Sequence, residues 1–154
     1  MREAETFADR LMIRIGCLSL ILMTLVLAVR WNRMPDRLPT HYAFDGTITG
    51  WGNRTSLIGI ALTGWALHIT MYIVSRHPRI WNTGAEITQE NALRIYRILY
   101  HMLSSITLIT DLMFVYITLQ TIWYTVLPIW ILNLFLAALA VDLIASLVIL
   151  KLNA

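Results

Sequence analysis

Charge is scarce in this chain. Asp, Glu, Lys and Arg make up 14% of its 154 residues, while 58% are hydrophobic and the mean hydropathy is +0.66. Soluble domains typically carry about 25% charged residues, so this composition argues against a water-soluble domain and for lipid. Cysteine is nearly absent. Cys17 stands alone inside an apolar run, which excludes an intrachain disulfide and a thiolate metal site and reads as a small residue at a helix contact. Catalytic signatures are absent too: there is no Walker loop, no His-Glu-x-x-His, no Gly-x-Ser-x-Gly and no Cys-x-x-Cys. No catalytic residue is therefore assigned, no cofactor is implied, and an enzyme is the less favoured class. The net charge of +3 is modest and is not gathered on one helix face, so nucleic acid is not an expected partner.

Long apolar runs fill the chain. They extend from Leu11 to Val29, Leu57 to Ser75, Ile98 to Gln120 and Leu127 to Leu150. Each meets the length of about 20 residues that crosses a hydrocarbon core of about 30 Å. Apolar residues occupy all sides of each run, and a chain this short cannot bury four such helices completely, so lipid is the expected surroundings. Helices are required because no water is present to satisfy open backbone. The expectation is one membrane domain over residues 1–154, all-α, with helices over 11–29, 57–75, 98–120 and 127–150. No small-residue cleavage site follows the first run, which ends Leu27-Ala28-Val29-Arg30-Trp31, so it reads as a retained helix.

Basic residues set the expected orientation. With a cytoplasmic N-terminus, Arg2, Arg10, Arg14, Arg76, Arg79, Arg94, Arg97 and Lys151 lie inside, and Arg30, Arg33, Arg37 and Arg54 lie outside. Both termini are thus expected in the cytoplasm and the first loop outside. Trp31, Trp51, Trp81, Trp123, Tyr124 and Trp130 fall near span ends, as interfacial aromatics do.

The connections are unequal. The first, Asn32 to Ser56, is long and rich in Pro, Gly and Thr, which specifies turns and an ordered loop. Within it His41, Asp36 and Asp45 could converge on a cation, but two carboxylates and one imidazole make a poor metal signature. Hydrogen bonding of His41 and Asp45 within the loop is the competing reading, and no metal site is assigned. The second connection, Arg76 to Ala92, closes on Thr88-Gln89-Glu90. Thr88 is the expected N-cap of the third helix, with Glu90 at the positive end of its dipole. The third, around Thr121 to Val126, is short, so the last two helices form an antiparallel hairpin.

Three titratable residues fall inside the spans: His68, Asp111 and Asp142. At 1.5 Å per residue they lie within roughly 10 Å of one depth. A central Asp costs about 2.5–3.5 kcal/mol on insertion scales, so both carboxylates are expected to face the bundle interior. Arg97, Tyr100, Ser104, Thr107, Asp111 and Thr118 share one face of the third helix. Ala138, Asp142, Ala145 and Ser146 make a small-residue face on the fourth, and Ala61, Gly64 and His68 one on the second. Small residues permit close approach in lipid and polar ones then bond across. This polar set reads either as glue for a four-helix bundle or as a proton-responsive or substrate-contacting cluster.

Two segments resemble a bacterial membrane family, domain of unknown function 1648. In the first loop Pro39, His41, Tyr42, Gly46, Trp51 and Gly52 match the family pattern around Asp45, and Arg54 stands where Lys is usual; Ala43 and Thr49 replace common acidic or amide residues. His77-Pro78-Arg79-Ile80-Trp81-Asn82, followed by Ile87-Thr88-Gln89-Glu90-Asn91, is similar to a second family segment through Pro78, Asn82, Thr88, Glu90 and Asn91. The two matches keep their order, so the resemblance is expected over roughly the whole chain. It implies a multi-pass protein of the bacterial inner membrane, related to the N-terminal part of SdpI-type immunity proteins. Those proteins protect a cell from a secreted peptide toxin and carry further helices absent here. The leading expectation is a binding or sensing protein, with SdpI-like immunity as its named form and another membrane protein or a secreted peptide as partner beside the bilayer. A small transporter or permease subunit using His68, Asp111 and Asp142 is the second class. A membrane-embedded enzyme, with His41 and Asp45 as its surface candidates, is the third.

Overall fold

A computed structural model describes residues 2–43, 45–81, 84, 86–123 and 128–153. It is mostly helical, with four long helices: α1 (Phe7–Arg30), α2 (Ser56–Arg76), α3 (Ala92–Ile122) and α4 (Ile129–Leu152). All four are long and apolar enough to cross a membrane. Their outer faces carry Leu22, Leu25, Leu62, Ile73, Leu134, Ile144 and Val148, all exposed, as lipid contact demands.

Polar contacts fix how the helices run. Arg76 at the end of α2 reaches Glu5 before α1, so α1 and α2 are antiparallel. Asp9 on α1 meets His101 early in α3, so those two run in the same direction. Arg94 donates to Asn153, so α3 and α4 are antiparallel. α3 packs against the other three helices, and α4 lies chiefly on α3. One end of the bundle thus gathers both termini, the end of α2 and the start of α3.

The helices exceed their expected limits at polar ends. α1 begins at Phe7 rather than Leu11 because Thr6 and Asp9 form a capping box: the Asp9 amide donates to Thr6 Oγ1 at 3.2 Å and the Thr6 amide to Asp9 Oδ2 at 2.7 Å. α3 begins at Ala92, with Asn91 rather than Thr88 as its N-cap. Thr88 instead forms the preceding turn, where its amide donates to Asn91 Oδ1 at 2.8 Å and the Asn91 amide to Thr88 Oγ1 at 3.3 Å. Thr121, expected in a loop, lies in the last turn of α3. Residues 124–127, with Tyr124 and most of the expected third loop, lie outside the described residues.

The all-α expectation needs one amendment. The first connection holds an antiparallel pair, β1 (Arg37–Tyr42) and β2 (Ile48–Asn53). Its register shifts around Thr40, between the pairs Pro39–Trp51 and His41–Gly50, where Pro39 has no N–H for the ladder. Leu38 and Pro39 turn inwards and are buried. Leu38 and Met34 join Leu20, Met23, Leu27, Leu57, Ala61 and Ile122 in one apolar cluster, so the hairpin is packed on the bundle.

Candidate functional site

Near the middle of the bundle, His68 on α2 and Asp111 on α3 meet at 2.7 Å between Nδ1 and Oδ2. They are 6% and 1% exposed. Two arrangements satisfy this contact. A neutral imidazole accepts from a protonated carboxyl, or a ring N–H donates to a carboxylate. Either way one proton lies between the two atoms, and the pair can hold or move it. Backbone geometry makes the room: a Cβ on Gly16 of α1 would collide with Asp111 Oδ2. Trp65 steadies the histidine, its ring edge-on to the imidazole at 6.2 Å, while its Nε1 donates to Thr24 Oγ1 at 3.0 Å.

Asp142 is not part of this pair. It is half-buried on α4 and accepts from Ser105 Oγ at 2.8 Å; its second oxygen, Oδ2, is buried without a partner among the described residues. Equal depth had grouped the three residues, but Ser105 and Asp111 sit on different faces of α3, and α4 covers the first. A further carboxylate, Asp9, is fully buried and contacts His101 Nδ1 at 3.1 Å. Sequence reasoning missed it, although Thr6-x-x-Asp9 is a capping-box signal. It also missed Gly16, whose role depends on a neighbour distant in sequence.

Two cavities lie beside the pair. One of about 240 Å³ opens among Arg10, Arg14, Arg76, Tyr72, Ser75 and Ser104. Another of about 330 Å³ runs past Cys17, Trp65 and His68. Both touch Ile13, Arg14 and Tyr72. Towards the hairpin the packing differs. Buried positions beyond Gly16 and His68 are Leu20, Met23 and Leu27 on α1, and Gly64, Ala61 and Leu57 on α2. Among the described residues the buried polar groups there include the hydroxyls of Thr118, Thr121 and Tyr42 and the Nε of Arg30, and Thr121 is spent on the Ile117 carbonyl at 2.9 Å.

The residues of the first loop motif divide into builders and exposed groups. Arg54 is the clasp. Its Nη1 donates to the carbonyls of Trp31 and Met34, both at 3.2 Å, its Nη2 lies 3.5 Å from Asp36, and it stacks over Trp31 at 5.2 Å. A forked guanidinium serves all of these at once, which an ammonium in its place does less well. Asp45 Oδ1 accepts from the amide of Thr47 at 3.0 Å and its hydroxyl at 2.7 Å, and these bonds hold its carboxyl below the ordinary value of 3.8. Gly46 has φ 85°, open to glycine without strain. A Cβ on Gly52 would lie 2.6 Å from Thr40 Cγ2, so the strand glycine admits a cross-strand side chain. His41 contacts its neighbour Thr40 at 3.2 Å. His41, Asp36 and Asp45 therefore engage three different partners. Trp51 is 54% exposed, and the Tyr42 hydroxyl is buried without a partner among the described residues.

The second motif shapes the connection at the other end. Pro78 opens a 3-10 turn, Pro78–Ile80, that delivers Trp81 onto Tyr100 at 4.9 Å and lets its Nε1 donate to the Val74 carbonyl at 2.8 Å. Thr88 and Asn91 bond each other, Asn91 also donates to the Glu86 carbonyl at 3.0 Å, and Glu90 is exposed. Asn82 lies outside the described residues.

No curated protein and no solved structure matches the chain. A family match does exist, and it covers less than the resemblance over the whole chain would suggest: the second motif, Pro78 to Asn91, falls outside it. Residues 18–64, from the second half of α1 through the hairpin to the middle of α2, match a family described as a domain of unknown function (DUF1648).

Proposed function

We propose that this chain is a binding or sensing protein of the bacterial inner membrane, with both termini cytoplasmic and the hairpin outside. SdpI-like immunity to a secreted peptide is its specific form. The carrying observation is the apolar cluster of Leu20, Met23, Leu27, Leu57, Ala61 and Ile122 between the hairpin and the His68–Asp111 pair. A transport route must connect both sides through polar or wet surface, and this half of the bundle offers packed side chains. Peptide binding draws further support from the hairpin. Among the described residues it is a two-stranded sheet, with outer edges that no third strand pairs. Such edges accept an extended peptide, and exposed Trp51 and His41 stand beside them.

The test is survival. Cells sensitive to a secreted peptide toxin should grow when they express this chain, and Trp51→Ala should reduce protection at equal membrane level. Growth no better than that of empty cells contradicts immunity. Alkaline phosphatase fused after Gly50 should be active and after Gly84 inactive; the reverse inverts the orientation.

A small permease subunit is the second reading, favoured by the buried His68–Asp111 contact, with Asp142 as an accessory carboxylate. It requires an outward-open state in which α2 parts from α1 near Ala61. Proton or ion flux in proteoliposomes, abolished by Asp111→Asn, would select it.

A further inference from the structure

The end of the bundle that gathers the termini holds more positive charge than it balances. Arg10, Arg14 and Arg76 all line the cavity of about 240 Å³, and among the described residues Glu5 is the one carboxylate on its wall. Glu5 Oε2 is divided between two of them, 4.0 Å from Arg10 and 3.4 Å from Arg76. Charge-assisted bonds with good geometry are about 2.7–2.9 Å, so both contacts are loose. Arg14 makes no ion pair among the described residues. Arg76 lies over the Tyr72 ring at 5.0 Å, which orients its guanidinium beside the cavity. The hydroxyls of Ser75 and Ser104 donate to carbonyls of their own helices, at 2.7 and 2.8 Å, which leaves the guanidiniums as the charged donors on the wall, with Arg10 Nη1 also donating to the Glu5 carbonyl at 3.2 Å.

Position sharpens the chemistry. Arg10 and Arg14 lie one turn apart on α1, and Arg76 closes α2. Arg14 stands about 10 Å along the helix from Phe7. The second cavity shares Ile13, Arg14 and Tyr72 with the first and extends along Cys17, Trp65 and Ile69. The geometry points to a site for one phosphate-type oxyanion, held by Arg10, Arg14 and Arg76, with apolar space behind it for whatever the phosphate carries. Basic pockets between membrane helices recognise phosphate headgroups on this principle, and the fork of arginine suits phosphate better than lysine does. The phosphate belongs to an anionic lipid or to a soluble phosphate compound, and the two are separable.

The full-length protein in phosphatidylcholine nanodiscs, with and without phosphatidylglycerol, provides the test. Native mass spectrometry should find one phosphatidylglycerol retained after the bulk lipid is stripped. Arg14→Gln and Arg76→Gln should each weaken retention by about tenfold, the loss of one charged hydrogen bond. Arg14→Lys should fall between these variants and the parent, and Arg33→Gln, at the hairpin end, should retain lipid like the parent. In pure phosphatidylcholine, inorganic phosphate is titrated against chloride at equal ionic strength. A phosphate-specific rise in Tm, lost in Arg14→Gln, without lipid retention assigns the site to soluble phosphate. Neither retention nor a phosphate-specific rise overturns the site. So does binding that Arg14→Gln and Arg76→Gln leave at the parental level.

Discussion

The two ends of this bundle are built on different chemistry. Towards the hairpin, Leu20, Met23, Leu27, Leu57, Ala61 and Ile122 pack into an apolar cluster that Met34 and Leu38 continue into the loop. Towards the termini, Asp9 meets His101, Glu5, Arg10, Arg14 and Arg76 line a cavity, and His68–Asp111 marks the boundary. In lipid an apolar side chain gains nothing by leaving the surroundings, so the first half is held chiefly by packing, with Trp65 to Thr24 and the Arg54 clasp as its polar bonds. The second is held by polar bonds, whose loss leaves buried groups unsatisfied. Substitutions of similar size should therefore cost unequal amounts in the two halves.

The largest effect is expected at the boundary. Asp111→Leu leaves His68 buried without its partner and should destabilise the protein by about 3 kcal/mol. Asp111→Asn keeps a hydrogen-bonding group there and should cost less than about 1 kcal/mol. Unfolding of both variants in one detergent measures the difference; an Asp111→Leu variant as stable as the parent would remove the polar half from the account. Next in size is Gly16→Ala, whose Cβ meets Asp111 Oδ2 and which should cost about 2 kcal/mol by overpacking. Gly59→Ala, with nothing within 4 Å of its added Cβ, should be neutral or stabilise α2 by up to about 1 kcal/mol. If the two changes are equivalent, the close approach of α1 to α3 is wrong.

Asp142→Leu should have a smaller effect, near about 1 kcal/mol, because one bond from Ser105 is lost and the orphaned Oδ2 goes with it. A cost equal to that of Asp111→Leu would put Asp142 back beside the pair. The smallest effect belongs to the hairpin tip. Asp45 is held below its ordinary value by its bonds from Thr47, so its contribution is complete above pH 3.8 and fades as pH falls through the lower folded value. Amide exchange at Thr47 should be insensitive to Asp45 titration from pH 5 to pH 8 and accelerate relative to its neighbours in stronger acid. A change centred in the neutral range would contradict that assignment.

The spans were legible in the sequence because each is apolar on every side over the thickness of a bilayer. Their ends were less so. Phe7 to Arg10 and Ala92 to Arg97 continue as helix through polar sequence, where hydropathy carries no signal and caps decide. The strands were not read because Pro39, Gly50 and Gly52 are poor strand formers. The glycines are there for the partner strand, since Thr40 and His41 occupy the space their Cβ atoms would take. The cost of burying a carboxylate directs attention to Asp111 and Asp142 alike, but depth along a helix says nothing of its rotation. That is why His68 meets Asp111 while Asp142 meets Ser105. Arg54 shows the same limit: a basic residue after Trp51-Gly52-Asn53 is visible, while its two carbonyl partners, Trp31 and Met34, depend on the fold.

Access to the two halves tests the central claim most directly. In a Cys17→Ser background, single cysteines are placed by Ser104→Cys, on the wall of the polar cavity, and by Ala61→Cys, in the apolar cluster. A membrane-impermeant maleimide is then applied to right-side-out and inside-out vesicles. The Ser104→Cys protein should label only from the side that carries the termini, and the Ala61→Cys protein from neither side. Labelling of both from the hairpin side would mean a water-filled hairpin half and would contradict the account.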